Sequence, residues 1–288
     1  MLIRVHCSSV NPIDWKRASG VMRLISPVPM PGTPGYDIAG VVEAVGPGVT
    51  GFAPGMRVHS RIGEKTGGGY AELALAGVDV TTQLPEGMSF ADGAALPLAG
   101  MTALQGLHDY CGLPLAGARA RVLIIGASGG VGHLALQIAK STGAEVIGVC
   151  SSRNSERVRS LGANAVIEYD KPDPYRDQAP FDIIYNCVSG EVSPWLSRLT
   201  PTGHYASCMP GPTTILKSGT NLLSRKKVHA VMLKPRAPDL AVLDRLYAAG
   251  KLRVLIDSRF PLADTRKAWE RSQSGRAVGK IVIDVVSS

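Results

Sequence analysis

The run IIGASGGVGHLALQIAK, residues 124–140, constrains the fold of this chain more than any other stretch. A strand-like apolar segment that starts at Arg121 runs into Gly126, Ser128, Gly129, Gly130 and Gly132, and a helix with one apolar face follows. Glycines at such a corner let the main chain pass close to a pyrophosphate, whose charge meets free amide N–H groups and the positive end of the helix dipole. The bare glycine pattern also occurs in strand-to-helix turns that hold nothing. Here it follows a buried-type strand, opens a helix and heads a βαβ succession, and that context specifies a dinucleotide site.

The rest of the chain divides by texture. Up to about Pro97, short strands alternate with Gly/Pro turns (LIRVHCSSV, DIAGVVEAVG, MRVHSRIG, YAELALAG), the pattern of a small β-rich barrel or roll. From there to about Gly250, apolar strands alternate with helices: RVLIIGA, EVIGVCS, AVIEYD, FDIIYNCV, GHYASCM and VHAVML. Continuous apolar strands bracketed by amphipathic helices predict a parallel sheet covered on both faces. The closing LRVLIDSRF, DTRKAWERS and KIVIDVV turn strand-rich again and are expected to return to the first domain. At 288 residues the chain exceeds what one core usually organises, so two domains are expected.

Composition removes several function classes. The net charge is +8, yet Lys and Arg are scattered, with SRKK at 224–227 the densest run, and no comb of basic and aromatic residues marks a nucleic-acid platform. The five cysteines are widely spaced, with no Cys-x-x-Cys pair, which argues against a disulfide framework or a structural zinc site and for a reducing, intracellular setting. MLIRVH is too short and too alternating for a signal peptide. No apolar run approaches the roughly 18 residues needed to span a bilayer.

Cofactor choice is read at the end of the second strand of this α/β portion. An Asp or Glu about 20 residues past the glycines would hold the ribose 2′-hydroxyl of NAD. Ser151, Ser152 and Arg153 stand there instead, with no acid among residues 149–155. Hydroxyls and a guanidinium favour a 2′-phosphate, and Tyr169, ending the third strand, offers a phenolic donor. Alone, Arg153 would read as a solvated surface charge. Together these positions predict NADPH.

Seven segments, SSVNPIDWK, PGTPGYDIAGVVEAVGPGV, GGGYAELALA, AALPLAGMTALQGL, GASGGVGHLALQIAK, SLGANAVIEYD and GRAVGKIVI, resemble the zinc-independent quinone oxidoreductases of the medium-chain dehydrogenase/reductase superfamily, including the plant chloroplast-envelope members. The resemblance spans nearly the whole chain. It implies a GroES-like catalytic domain from residues 1–95 and 253–288, a Rossmann doubly wound parallel sheet over 96–252, and a substrate cleft at their junction. It also implies NADPH-dependent reduction of quinones or of α,β-unsaturated carbonyls. By position, Ser128, Gly129, Gly130 and Val131 would hold the pyrophosphate, and Ser151, Arg153 and Tyr169 the 2′-phosphate. Thr102, Arg276 and Ala277 would lie nearer the nicotinamide half, while Asn11 and Lys16 would face the cleft. The family carries further strands before the segment that begins here at Met1, so a catalytic domain without its N-terminal edge is expected. Further partners in this reading are an anionic membrane surface, met peripherally in the cytoplasm or at the chloroplast inner envelope, and a second copy of the chain.

Zinc is not expected. Zinc-dependent relatives place a Cys where this chain has Asn11, and a His-Glu pair where it has Tyr36 and Asp37, and the six histidines show no substitute spacing. The chemistry then falls mostly to the cofactor, with Lys16 and Asn11 as candidate donors to a substrate oxygen. Lys16 reads equally as a surface lysine, Asn11 as a turn residue before Pro12, and Asp14 as an organiser of the loop. A non-catalytic NADPH-binding protein, structural or redox-sensing, is the alternative from a different class.

Overall fold

The computed structural model describes residues 1–23, 31–63, 67–172, 174–176 and 178–286. The chain divides into two compact units, the first made of Met1–Met101, Lys234–Gly250 and Val254–Ser288, the second of Thr102–Leu233 with Lys251–Arg253.

The first unit is built on one sheet of seven strands: β1 (Leu2–Val10), β2 (Asp37–Ala44), β3 (Arg57–Arg61), β4 (Leu73–Leu75), β5 (Thr81–Gln83), β12 (Ile256–Pro261) and β13 (Lys280–Asp284). The order is β12-β13-β1-β2-β3-β5, with β4 on the first half of β1. Thus β1 is antiparallel to β13 near its end, Val10 facing Ile281, and antiparallel to β2 along its length. Alternation in these strands turns Ile3, Val5, Ile38, Val42 and Val58 into one apolar cluster. Helix α1 (Pro12–Ala18) leaves β1 directly. Pro12 at its first position has no N–H to leave unpaired, and the Asp14 carboxylate accepts the Asn11 amide at 2.6 Å. Helix α8 (Ala237–Ala248) belongs to this unit, although its sequence neighbours suggest the other. Its Asp244 takes the His59 Nε2 at 2.9 Å and the Thr82 hydroxyl at 2.7 Å, and its Tyr247 donates to Asp92 at 3.0 Å.

The second unit carries six parallel strands, β6 (Arg121–Ile125), β7 (Glu145–Cys150), β8 (Ala165–Glu168), β9 (Phe181–Asn186), β10 (Leu199–Ser207) and β11 (Lys227–Ala230). Their order, β11-β10-β9-β6-β7-β8, is that of a doubly wound sheet, with its reversal between β6 and β9. Leu123, Ile125, Ile147, Val149, Ile167, Phe181 and Ile184 form one buried cluster, which explains why these strands read as apolar runs. The fold class expected from the sequence, a Rossmann sheet with a GroES-like β-rich partner, is the one observed.

Candidate functional site

The corner between β6 and α4 (Gly132–Ser141) lies at the reversal of strand order, where doubly wound sheets hold nucleotides. Gly126 adopts φ +78°, a conformation that side chains rarely tolerate, and its N–H joins that of Ala127 on the Val149 carbonyl. Gly132 is held by proximity: a Cβ there would come within 2.0 Å of the Gly126 carbonyl oxygen. Helix α4 can therefore start directly against the strand. Among the described residues, the amides of Ser128, Gly130 and Val131 donate to no main-chain carbonyl. These free N–H groups sit where the α4 dipole is positive, and they fit a pyrophosphate.

Asn154 ties this corner to the end of β7. Its Nδ2 donates to Ser128 Oγ and to Ser151 Oγ, both at 3.2 Å, which leaves the two hydroxyl hydrogens free for a ligand. Ser151 is buried, whereas Arg153 is exposed and has no ion-pair partner among the described residues. Tyr169, just past β8, is 58% exposed, with its amide on the Cys150 carbonyl. Thr102, the first residue of the second unit, is buried and accepts the Tyr185 hydroxyl on its carbonyl at 2.8 Å.

Sequence reading missed two residues here. Asn154 directly follows Arg153, and nothing local in the sequence marks its reach to Ser128, 26 residues away. Asp170 lies 15 residues beyond the acid-free stretch 149–155. Its carboxylate accepts the Ser152 amide at 2.9 Å and the Ser152 hydroxyl at 2.8 Å, and these hydrogen bonds hold its pKa below the ordinary range. An anion thus stands beside the strand end that shows none in its own sequence.

In the first unit, Asn11 caps α1 and is 2% exposed. One of its amide hydrogens goes to Asp37 at 2.8 Å, its carbonyl accepts Lys280 Nζ at 2.5 Å, and the second amide hydrogen remains. Lys16, half-buried on α1, lies over the Trp15 ring at 5.5 Å. Arg276 and Ala277 form the turn between α9 (Thr265–Gln273) and β13, with Arg276 exposed and Ala277 packed on the apolar cluster around Ile281. Asn11 and Lys16 share one helix, and Ser128 and Ser151 are joined through Asn154.

The donor set at Asn11 does not fit zinc. Its carbonyl oxygen already serves an ammonium: Lys280, 3% exposed, bonds Asn11 and the Val10 carbonyl and lies 3.8 Å from Asp37. The Tyr36 hydroxyl accepts a hydrogen bond from Arg17, and the Arg17 and Arg61 guanidiniums lie 5.3 and 4.7 Å from its ring centroid. A dication would have to displace the Lys280 ammonium from the amide oxygen and the Arg17 guanidinium from the phenol oxygen, and neither is the imidazole or thiolate that zinc favours. Among the described residues, no three His, Cys, Asp or Glu side chains gather as a metal site.

Two family models match the chain, "Alcohol dehydrogenase GroES-like domain" over residues 1–86 and "Zinc-binding dehydrogenase" over residues 161–283. The zinc in the second name describes that family, not the donors found here. The chloroplast envelope quinone oxidoreductase homologue of Arabidopsis thaliana is 36% identical over 98% of this chain and 88% of its own length. The 2-methylene-furan-3-one reductase of Solanum lycopersicum is 32% identical over 98% of this chain and 71% of its own. Among solved structures, the quinone oxidoreductase from Coxiella burnetii superposes with a TM-score of 0.87 at 31% identity, covering 99% of this chain and 90% of that one. A chain with a doubly wound sheet and a glycine corner at its strand reversal, matched along nearly its whole length by these relatives, belongs to the quinone oxidoreductase family of the medium-chain dehydrogenase/reductase superfamily and is an oxidoreductase.

Proposed function

We propose that the protein is an NADPH-dependent reductase that delivers hydride, without zinc, to quinones or to the C=C bond of α,β-unsaturated carbonyls. The observation that carries the cofactor choice is the end of β7, where Ser151 is joined to the glycine corner through Asn154 and is followed by Arg153, exposed and without an ion-pair partner among the described residues. A 2′-phosphate accepts from both, and a 2′-hydroxyl gains nothing from the guanidinium charge. The bound cofactor would supply hydride from its nicotinamide ring. The free amides of Ser128, Gly130 and Val131 bind and orient its pyrophosphate.

Without a Lewis acid, the substrate must carry its own activation, as conjugated carbonyls and quinones do. Hydride arriving at the β-carbon pushes charge onto the carbonyl oxygen, which the Lys16 ammonium and the remaining Asn11 amide hydrogen stabilise as donors. Solvent returns the proton at the α-carbon. The names of the relatives, a quinone oxidoreductase homologue and a 2-methylene-furan-3-one reductase, supply the panel to test.

The experiment is consumption of NADPH and NADH with quinones, enones and simple alcohols. Label from NADPH deuterated at the transferring position should appear at the β-carbon of an enone product. Ready oxidation of alcohols, with enones and quinones left untouched, would overturn this reading. Tight NADPH binding with no turnover of any substrate would leave a nucleotide-binding protein without this activity.

A further inference from the structure

Two cysteines stand side by side at the carboxyl ends of β9 and β10. Asn186 and Ser207 are register partners on these parallel strands, and the Cys208 amide donates to the Asn186 carbonyl at 3.2 Å. The next residue on each strand is a cysteine, Cys187 opposite Cys208. Neighbouring strands run about 4.8 Å apart, inside the roughly 4.4–6.8 Å between Cα atoms that a disulfide spans. Alternation sends both side chains to the face that carries Tyr185 and its register partner Ala206. Both residues are half-buried, whereas Cys7, Cys111 and Cys150 are buried. The pair abuts the glycine corner, since a Cβ on Gly126 would lie 3.8 Å from the Cys187 Cβ.

We propose that Cys187 and Cys208 are a modification site, a neighbouring dithiol that hydroperoxides close to a reversible disulfide. The Cys187 thiol hydrogen-bonds the Cys208 sulfur and holds the Cys208 pKa below the ordinary thiol range, while burial raises that of Cys187. Cys208 is therefore the attacking thiolate. Its sulfur takes one peroxide oxygen, the O–O bond breaks, and water or an alcohol leaves, giving a sulfenic acid. The Cys187 sulfur then attacks the Cys208 sulfur. An S–S bond forms, the S–O bond breaks, and hydroxide departs as water with the Cys187 proton. Two thiols lose two electrons and one peroxide gains them. Closure stiffens the strand ends against Gly126 and so reaches the nucleotide corner. That consequence rests on the nucleotide reading, whereas thiol mapping needs no nucleotide and stands if the reading fails.

The test is the reduced full-length protein, treated with one equivalent of hydrogen peroxide, alkylated, digested and mapped by mass spectrometry. The expected result is concerted loss of the two thiols, a cross-linked peptide pair joining Cys187 to Cys208, and recovery of both by dithiothreitol. Cys111→Ser should leave the cross-link intact. In Cys208→Ser no cross-link forms. The wild-type map decides without either variant. A cross-link from either cysteine to Cys111, independent oxidation of the two to sulfinic acids, or both thiols left free would overturn the proposal.

Discussion

At the scale of single residues, the proposed cofactor choice rests on opposite charges near the end of β7. Arg153 is a cation without a partner among the described residues, and Asp170 is an anion fastened by Ser152. Arg153→Asp should abolish or reverse a preference for NADPH over NADH, because it sets like charges together. A charge-assisted hydrogen bond to the phosphate contributes about 1.5–3 kcal/mol, with the lower end apt for an exposed side chain. Asp170→Asn should act the other way and tighten NADPH relative to NADH, since it removes the only described carboxylate fastened to this strand end. Calorimetric titration with both cofactors checks the pair, and equal affinities in the wild-type protein would sink the argument. The two proposed oxygen donors should separate as well. Lys16→Ala should lower kcat about 10²–10³-fold and leave melting unchanged. Asn11→Ala should lower kcat and also Tm, because it strips the buried Lys280 ammonium of one of its two carbonyl acceptors and leaves only that of Val10.

At the scale of elements, the glycine corner is the part whose geometry allows the least change. Gly132→Ala would drive a methyl against the Gly126 carbonyl, a main-chain atom that cannot rotate away, so it should cost about 1–3 kcal/mol and NADPH affinity together. Gly129→Ala meets the same oxygen at 3.3 Å and should be tolerated far better. Denaturant melts of the two variants check this contrast. The corner was legible in the sequence because the glycines that shape its turn, Gly126 to Gly132, lie within seven residues, whereas the Val149 carbonyl and Asn154 that fasten it lie more than twenty residues away. Equally legible were β6, β7 and β9, the central strands, whose burial on both faces writes continuous apolar runs. Helix α1 was not read, although Pro12 at its first position and Asp14 at its third were local signals. Nor was the place of α8, which rests on His59, Thr82 and Asp92 meeting Asp244 and Tyr247 across more than a hundred residues. Asp170 and Lys280 escaped for the same reason: their partners, Ser152 and Asn11, are 18 and 269 residues away.

At the scale of the whole molecule, charge acts outside and inside. The net charge of +8 predicts salt-sensitive binding to anionic vesicles at about 1 kcal/mol per Lys or Arg near the surface. Binding held by these charges should be released by salt, and no helix among the described residues is long and apolar enough to cross a membrane. Co-sedimentation with vesicles at low and high ionic strength reads this directly. Inside the first unit, Asp14 is buried facing Asp37 and Lys280, with one carboxylate oxygen on the Asn11 amide and the Tyr70 hydroxyl and the other without a partner. Burial raises its pKa to about 7. The unfolded chain releases this proton near pH ~4 and the folded one holds it until about 7. Across that window the folded state binds more protons, so the contribution of Asp14 falls as pH rises, by up to about 1.4 kcal/mol per pH unit. His229 has the opposite slope, because burial lowers its pKa to about 4 and the folded state sheds a proton that the unfolded chain keeps up to about 6.5. Asp14→Asn leaves the His229 contribution in place and removes its own. The variant should therefore gain stability relative to the wild type steadily from pH 4.5 to about 7 and no further above it. Urea melts of both proteins at half-unit steps measure the difference, and parallel profiles would show that Asp14 is ionised in the folded protein throughout.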